Sequence, residues 1–441
     1  MSNYFQNINN NLPSIFLFLI AFTFPLGIYF FPIQTPILVI NGFHVALYSA
    51  LAYLIINKKV KIFLGKSGRY YLILLFIWLT YGFCGLLWAK ELKPVLQDMF
   101  GLINAISIIL VLQSLLVLNK FRVVPFIQGW FAAFAVASCI GIIEAKTAIH
   151  LDAEWNGFPI RNTPLTTFDN PNNYAVFLVF TLPLLLMFKN HITAATFKVF
   201  FLLGLLWLIL LTQSRLGIFS FFLLLGIGFF SLRQIDHVYF KKKIQHYSKF
   251  YLPIIAFTLI LIFFSNFQFV ENIYAYYFHP STTISSDGVR VKLVLAGLEM
   301  FVNSYGMGVG GGNYPYYINH HLITTNTHGY CNPHNWVIEV LSQYGLVIFI
   351  LLAVFGFYLI QQYLKLMKQF KNEGVNKFTV CGILLGIAYL IMSIDPSSFM
   401  RMPMNWIALS IIVIITDCLH TNATEFYDQN NMSSNLGSSL G

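Results

Sequence analysis

The chain has 441 residues, 57% of them hydrophobic and only 10% charged, and its mean hydropathy is +0.70. Ordinary soluble domains carry about 25% charged residues, so this composition excludes a soluble globular protein and calls for an all-α polytopic membrane protein. The net charge of +10 does not imply a nucleic-acid partner, because Lys and Arg collect in short runs between apolar segments, the distribution that sets membrane orientation.

The first apolar run, 12–31, has no basic residue before it and no small-residue cleavage site after it, and reads as a retained helix, not a signal peptide. A spanning helix needs about 20 mostly apolar residues. Twelve runs are expected to span, near 13–32, 36–56, 70–88, 99–118, 124–143, 173–188, 197–213, 215–232, 251–267, 335–360, 378–394 and 403–419.

Basic residues cluster in alternate connectors: Lys58, Lys59, Lys61, Lys66 and Arg69; Lys120 and Arg122; Lys189 and Lys198; Arg233, Lys241, Lys242, Lys243 and Lys249; Lys365, Lys368, Lys371 and Lys377. With twelve alternating helices these connectors share one side, so the positive-inside rule assigns them and both termini to the cytoplasm. The chain then divides into nine helices over 1–267 with an outer loop at 144–172, a large outer loop over 268–334 containing short surface helices, three helices over 335–419, and a polar tail, 420–441, expected to be disordered.

The loop 268–334 is the longest interruption of the apolar pattern, and a long loop of this kind is usually functional. It begins with Tyr274, Tyr276, Tyr277 and Phe278. A helix is expected after Ser285-Ser286-Asp287-Gly288, lying along the membrane surface with Arg290 in its first turn. A cation there opposes the helix dipole, so helix stability does not explain it.

The run Gly306-Met307-Gly308-Val309-Gly310-Gly311-Gly312-Asn313 lacks the Gly-Lys-Ser/Thr of a P-loop and the surroundings of a dinucleotide fingerprint. It is expected to be a tight turn admitting close backbone approach. At the end of the loop, Asn332-Pro333-His334-Asn335 places an imidazole at a helix entrance, where it is either an interfacial residue or a group able to exchange a proton near neutral pH.

Arg215, in Leu211-Thr212-Gln213-Ser214-Arg215, sits at the outer turn between the seventh and eighth helices. It is either a snorkelling side chain or a planar fork gripping phosphate oxygens. His320, His321 and His328 keep no recognisable ligand spacing with acidic or cysteine residues. Asp152-Ala153-Glu154 reads as solvated loop charge, so no metal or other cofactor is expected. Five cysteines form no CxxC pattern or disulfide framework.

These stretches together resemble the O-antigen ligase and polymerase superfamily of bacterial envelope glycosyltransferases. His334-Asn335, followed by nine residues and Gly345, is similar to its His-Asn-x9-Gly signature, with Ile348 where a small residue or Tyr is frequent. Thr212-Gln213-Ser214-Arg215 resembles its Thr-x-Ser-Arg turn. Arg290 with the helix and glycine run after it resembles its loop arginine and Gly-x-Gly stretch, and Asn170-Pro171-Asn172 its entry to the sixth helix.

The resemblance implies an enzyme of the bacterial inner membrane that passes a glycan from undecaprenyl diphosphate to another sugar at the outer face. Arg215 and Arg290 would hold the diphosphate, and His334 would orient or deprotonate the acceptor hydroxyl. Asn335, Ser214, Asn170, Asn172, Glu339 and Arg161 are candidate supporting residues. Partners would be the lipid-linked donor, a glycan or lipid A core acceptor, the bilayer, and chain-length regulator or flippase proteins. His334-Asn335-Trp336, Glu339 and Asp395-Pro396-Ser397-Ser398 favour a repeat-unit polymerase over a ligase to lipid A core. A lipid-linked sugar flippase is the reading from another class, and the near absence of charge in the middle of the apolar runs opposes it.

Overall fold

A computed structural model describes residues 2–57, 62–118, 123–151, 162–185, 192–235, 286–370, 377–394, 396 and 398–420. The expected span at 251–267, the aromatic residues 274–278, Asp152, Glu154, Arg161, Asp395, most of the expected cytoplasmic lysines and the tail after His420 lie outside them.

Apart from one two-stranded hairpin, the regular secondary structure of the described residues is helical. The helices are α1 (Ser2–Thr23), α2 (Gly42–Ile56), α3 (Lys66–Cys84), α4 (Leu92–Leu118), α5 (Val124–Thr147), α6 (Pro171–Leu184), α7 (Ile192–Leu211), α8 (Arg215–Ile235), α9 (Ser286–Asn303), α10 (Tyr314–Asn319), α11 (Trp336–Phe370), α12 (Lys377–Met392) and α13 (Pro403–His420). Helix is present at each expected span other than 251–267. By length and composition, 66–87, 92–118, 124–147 and 336–367 are long and apolar enough to cross a membrane, and six shorter apolar helices accompany them. The protein is therefore an all-α membrane protein.

Several expected boundaries move. The first span was expected to run to 32, but α1 gives way at Thr23 to a 3-10 segment, Phe24–Tyr29, with Pro25 at its start and Gly27 at φ 54°. A short hairpin follows, β1 (Ile33–Gln34) pairing antiparallel with β2 (Val39–Ile40). Helix α2 then starts at 42 and not 36, because Asn41 and His44 form a capping box: Asn41 accepts from the Phe43 and His44 amides, and His44 Nδ1 accepts from the Asn41 amide. Helix α4 starts seven residues before the expected 99, which brings Asp98 inside a helix.

Packing follows the apolar faces. Helices α1, α2 and α5 form one side, α3, α4 and α13 the middle, and α6, α8 and α12 the other, with α11 against α3, α12 and α13. Trp78 of α3 is fully buried and meets Tyr344 of α11 and Trp406 of α13 edge-on, with centroids at 5.4 and 5.8 Å. Such aromatic pairs add about 0.5–1.5 kcal/mol to area burial. Trp130 of α5 stacks on Phe177 of α6 at 5.5 Å and donates Nε1–H to Thr181 Oγ1. These contacts fix the bundle whose ends carry the polar residues.

Candidate functional site

Three helix starts at one end of the bundle share a construction. Asp169 (φ 58°), Gln213 (φ 57°) and His334 (φ 46°) are left-handed non-glycine residues, a conformation that costs of order 1–3 kcal/mol and clusters at functional positions. Each is followed by a residue whose side chain caps the next helix. Asn170 accepts from the Asn172 amide at 2.8 Å, Ser214 Oγ from Gly217 at 3.0 Å, and Asn335 Oδ1 from Ile338 at 3.1 Å. Asn170, Ser214 and Asn335, expected to support the site, therefore begin α6, α8 and α11. Arg215 is the first residue of α8 and is exposed, and Asn172 lies in the first turn of α6.

Side-chain contacts join these starts. A Cβ on Gly217 would lie 3.2 Å from that of Ala175, so α8 and α6 touch near their beginnings. Ser220 Oγ donates to Met392 Sδ at 3.3 Å, and the next carbonyl, Ser393 O, accepts the Trp336 amide at 2.9 Å. Tyr389 packs edge-on against Trp336 and Phe399. The turns bearing Arg215, Asn170 and His334 thus surround one end, connected through the end of α12.

The glycine run explains why α11 can present His334 there. Gly345 (φ 72°, ψ −169°) breaks α11 into a short segment, 336–344, and a long one. A break leaves carbonyls without their i+4 amides. The run supplies replacements: Val309 N–H donates to Ser342 O at 2.8 Å, Gly310 N–H to Gln343 O at 3.0 Å, and Leu346 N–H to Gly306 O at 2.9 Å. Any Cβ would block this pairing. One at Gly308 would meet the Gln343 carbonyl at 2.6 Å, and one at Gly345 would collide with Gly306 and Met307. Tyr81 and Trp88 hold the run from α3 through bonds to Met307 O and Gly308 O at 2.7 and 2.9 Å. The expected tight turn is thus a backbone clamp on the helix that follows His334.

Helix α9 brings Arg290 alongside. Val289, Leu293, Ala296 and Met300 bury against Val309, Tyr314, Ile318 and Ile338, a small core separate from the bundle. A Cβ at Gly297 would collide with Ile338, and Gly306 bonds Leu346, so α9 and the run track α11 in parallel at nearly constant sequence offset. Near the start of α9, Lys292 Nζ lies 2.6 Å from His328 Nε2, which ties this helix to the stretch before His334. The rest of the loop is held by Glu299, which accepts from the Thr324 amide at 2.5 Å and from the Thr325 amide and hydroxyl at 3.0 and 2.7 Å. Burial alone would raise the Glu299 carboxyl, but the bonds from Thr324 and Thr325 outweigh it and hold it below the ordinary range. Burial pushes the Cys331 thiol up, and it donates to Asn319 Oδ1 at 2.8 Å, as a protonated thiol and not a metal-binding thiolate does. Among the described residues no three His, Cys, Asp or Glu side chains group as metal ligands.

Glu339 is not open to solvent. It is 3% exposed and accepts from Ser398 Oγ and, at 2.9 Å, from the Phe399 amide, fastening the loop before α13 onto the first turn of α11. Sequence reading missed its neighbour. Asp98 of α4, 3% exposed, accepts from Tyr344 OH at 3.0 Å and Arg401 Nε at 3.2 Å. Nothing local marks a pair separated by 303 residues; the one available signal was a lone Asp beside an apolar run. The structure therefore brings His334, Asn335 and Glu339 to the start of α11, and Arg215, Ser214, Asn170 and Asn172 to the adjoining helix starts, while Arg290 lies near the start of α9, which packs along α11.

Two comparisons with known proteins bear on the chain. Residues 200–353, which hold Arg215, Arg290, the glycine run, His334 and Gly345, match the family model described as O-antigen ligase. The chain is also 27% identical over 368 residues to the teichuronic acid biosynthesis protein TuaE of Bacillus subtilis (strain 168), a match covering 79% of this chain and 72% of that protein. The signature histidine, the clamped glycine and both arginines all lie inside the region that is similar to the O-antigen ligase family.

Proposed function

We propose that the protein transfers a glycan from undecaprenyl diphosphate to an acceptor sugar hydroxyl at the outer face of the bacterial inner membrane, as a repeat-unit polymerase of a surface polysaccharide. The proposal includes twelve spans, cytoplasmic termini, and a metal-independent reaction. The observation that carries it is the construction around His334: a left-handed residue at the mouth of α11, fixed by a cap behind it and a backbone clamp beyond. Such preorganisation suits a group that must meet a reacting atom.

Arg215 and Arg290 hold the diphosphate and stabilise charge that grows on it as the glycosidic bond breaks. His334 orients or deprotonates the acceptor hydroxyl. A second apolar row on α9, with Val291, Leu295, Leu298 and Val302 exposed, supports its place along the lipid surface. The polymer-building reading draws on the teichuronic acid biosynthesis protein to which the chain is similar. The ligase reading draws on the family description.

Membranes containing the full-length protein and purified lipid-linked donor test both readings, with a repeat-unit acceptor in one arm and lipid A core in the other. His334→Ala should lower turnover about 100-fold or more, the scale of general acid–base catalysis, while insertion persists. Normal turnover in that variant would remove His334 from the chemistry. EDTA should leave the rate unchanged, and restoration by magnesium or manganese after a loss would bring Asp152 and Glu154 back as ligands.

A further inference from the structure

Arg401 is placed unlike any other cation among the described residues. Its Nε is held at 3.2 Å by Asp98, whose side chain is 2% exposed, yet its own side chain is 46% exposed. The guanidinium has five N–H donors in a rigid fork, and among the described residues the two Nη groups make no hydrogen bond. They lie over the glycine run. A Cβ at Gly312 (φ 68°) would sit 2.9 Å from Arg401 Nη2 and 2.6 Å from Pro94, so a residue without a side chain gives the fork its room. Asp98 is itself fixed by Tyr344, which belongs to the clamped segment of α11.

A bond needed merely to tie α4 to the loop before α13 has no use for a half-exposed fork, and a partly exposed ion pair is worth little as a tie. Phe399, two residues before Arg401, packs on Trp336 at 5.5 Å. Arg401 therefore flanks the start of α11 from the loop before α13, whereas Arg290 approaches along α9.

We propose that Arg401, aimed by Asp98 across Gly312, is a further anion-binding side chain of the site, taking a carboxylate or phosphate oxyanion of the glycan substrates through its two Nη groups. This rests on the glycan-transfer reading above. It adds a recognition point on the sugar chain, so that an acidic residue in the glycan is read separately from the reacting diphosphate. Fork-to-carboxylate and fork-to-phosphate pairing are the same chemistry, and the two sources are separable by experiment.

The full-length protein in lipid nanodiscs is titrated with an oligogalacturonate, with the same oligosaccharide after reduction of its carboxyls to alcohols, and with inorganic diphosphate. The acidic oligosaccharide should bind about tenfold more tightly than the neutral one, the scale of a charge-assisted hydrogen bond. Arg401→Gln, and the double variant Asp98→Asn/Arg401→Gln that leaves no buried carboxylate unpaired, should abolish the preference. Arg401→Lys keeps a cation for Asp98 and so the fold, and should lose most of the preference with the fork.

If the Gln variants instead lower diphosphate affinity about tenfold and leave the sugar preference intact, the bound oxyanion is the donor phosphate and the site stands with that ligand. Unchanged affinities for all three probes in the Lys variant and in whichever Gln variant folds would overturn it, leaving Arg401 as a tie between α4 and the loop. Wild-type transfer, assayed in the same nanodiscs, distinguishes the two failures: an inactive wild type overturns the transfer reading, while the binding ratios decide Arg401.

Discussion

Each end of the bundle holds a buried aspartate, and the two are used in opposite ways. Asp417, near the end of α13, takes the Ser67 and Gly68 amides at 2.7 and 2.8 Å and the Gln113 amide at 2.8 Å. It caps the start of α3 from across the fold, where a carboxylate satisfies orphan amides and meets the positive end of the helix dipole. Asp98, at the other end, takes Tyr344 and Arg401, and through Arg401 its charge is answered by a cation that reaches the surface. A carboxylate that takes up helix amides closes a structure. One that aims an arginine outward opens a structure to a ligand.

The contrast can be broken by experiment. Gly345→Ala should have the largest effect: its φ and ψ are close to glycine-only, and the added carbon collides with the run that clamps α11. Displacing His334 by roughly 1 Å is enough for about a hundredfold loss of transfer, so a rate within threefold of wild type in inserted protein would show that the clamp does not position the site. Arg215→Lys should lose nearly as much activity as Arg215→Ala, about tenfold or more, because an ammonium cannot reproduce the fork. Full transfer by the lysine variant would reduce Arg215 to a point charge.

Asp417→Ala should act on stability alone. Leaving buried amide donors unpaired costs about 2 kcal/mol, visible as a lower unfolding midpoint in detergent, with turnover per folded molecule unchanged. A loss of turnover as large as that of Gly345→Ala would erase the distinction between the ends. The smallest effect concerns Glu299. Its folded carboxyl titrates below its unfolded value, so the bonds to Thr324 and Thr325 contribute fully above the unfolded value of about 4.3 and are lost as pH falls through the lower folded value. Deuterium exchange at those amides, corrected for intrinsic rate, should rise only in that acid window, and in Glu299→Gln should be severalfold faster at neutral pH.

Much of this was legible beforehand. Apolar runs located the helices because burial among other helices or in lipid requires such runs whatever the tertiary detail. The helix following Ser285-Ser286-Asp287-Gly288, the turn before Arg215 and the close approach at the glycine run were readable because such signals act locally. The early break at Thr23 was not, since it depends on Pro25 and on a capping box at Asn41 that an apolar count passes over. Asp98, Tyr344 and Arg401 were invisible for a deeper reason: their meeting is a property of the packed bundle, and no spacing in the chain encodes it. Gly345 stood in between, recognisable as part of a signature while its purpose, freeing two carbonyls for the run, required the fold.

The order of the chain gives the clamp a further meaning during synthesis. The run at 306–310 leaves the ribosome before residues 342–346, which it pairs, by an interval of a few seconds at roughly 5–20 residues per second. Its partners are waiting when the break in α11 arrives, so the segment after His334 can form early from neighbouring chain. The Asp98–Arg401 pair spans 303 residues and is completed only after α12 has been made. Its closure couples the finished site to the arrival of the end of the chain, so a protein truncated before Arg401 would carry a clamped His334 beside an unpaired Asp98.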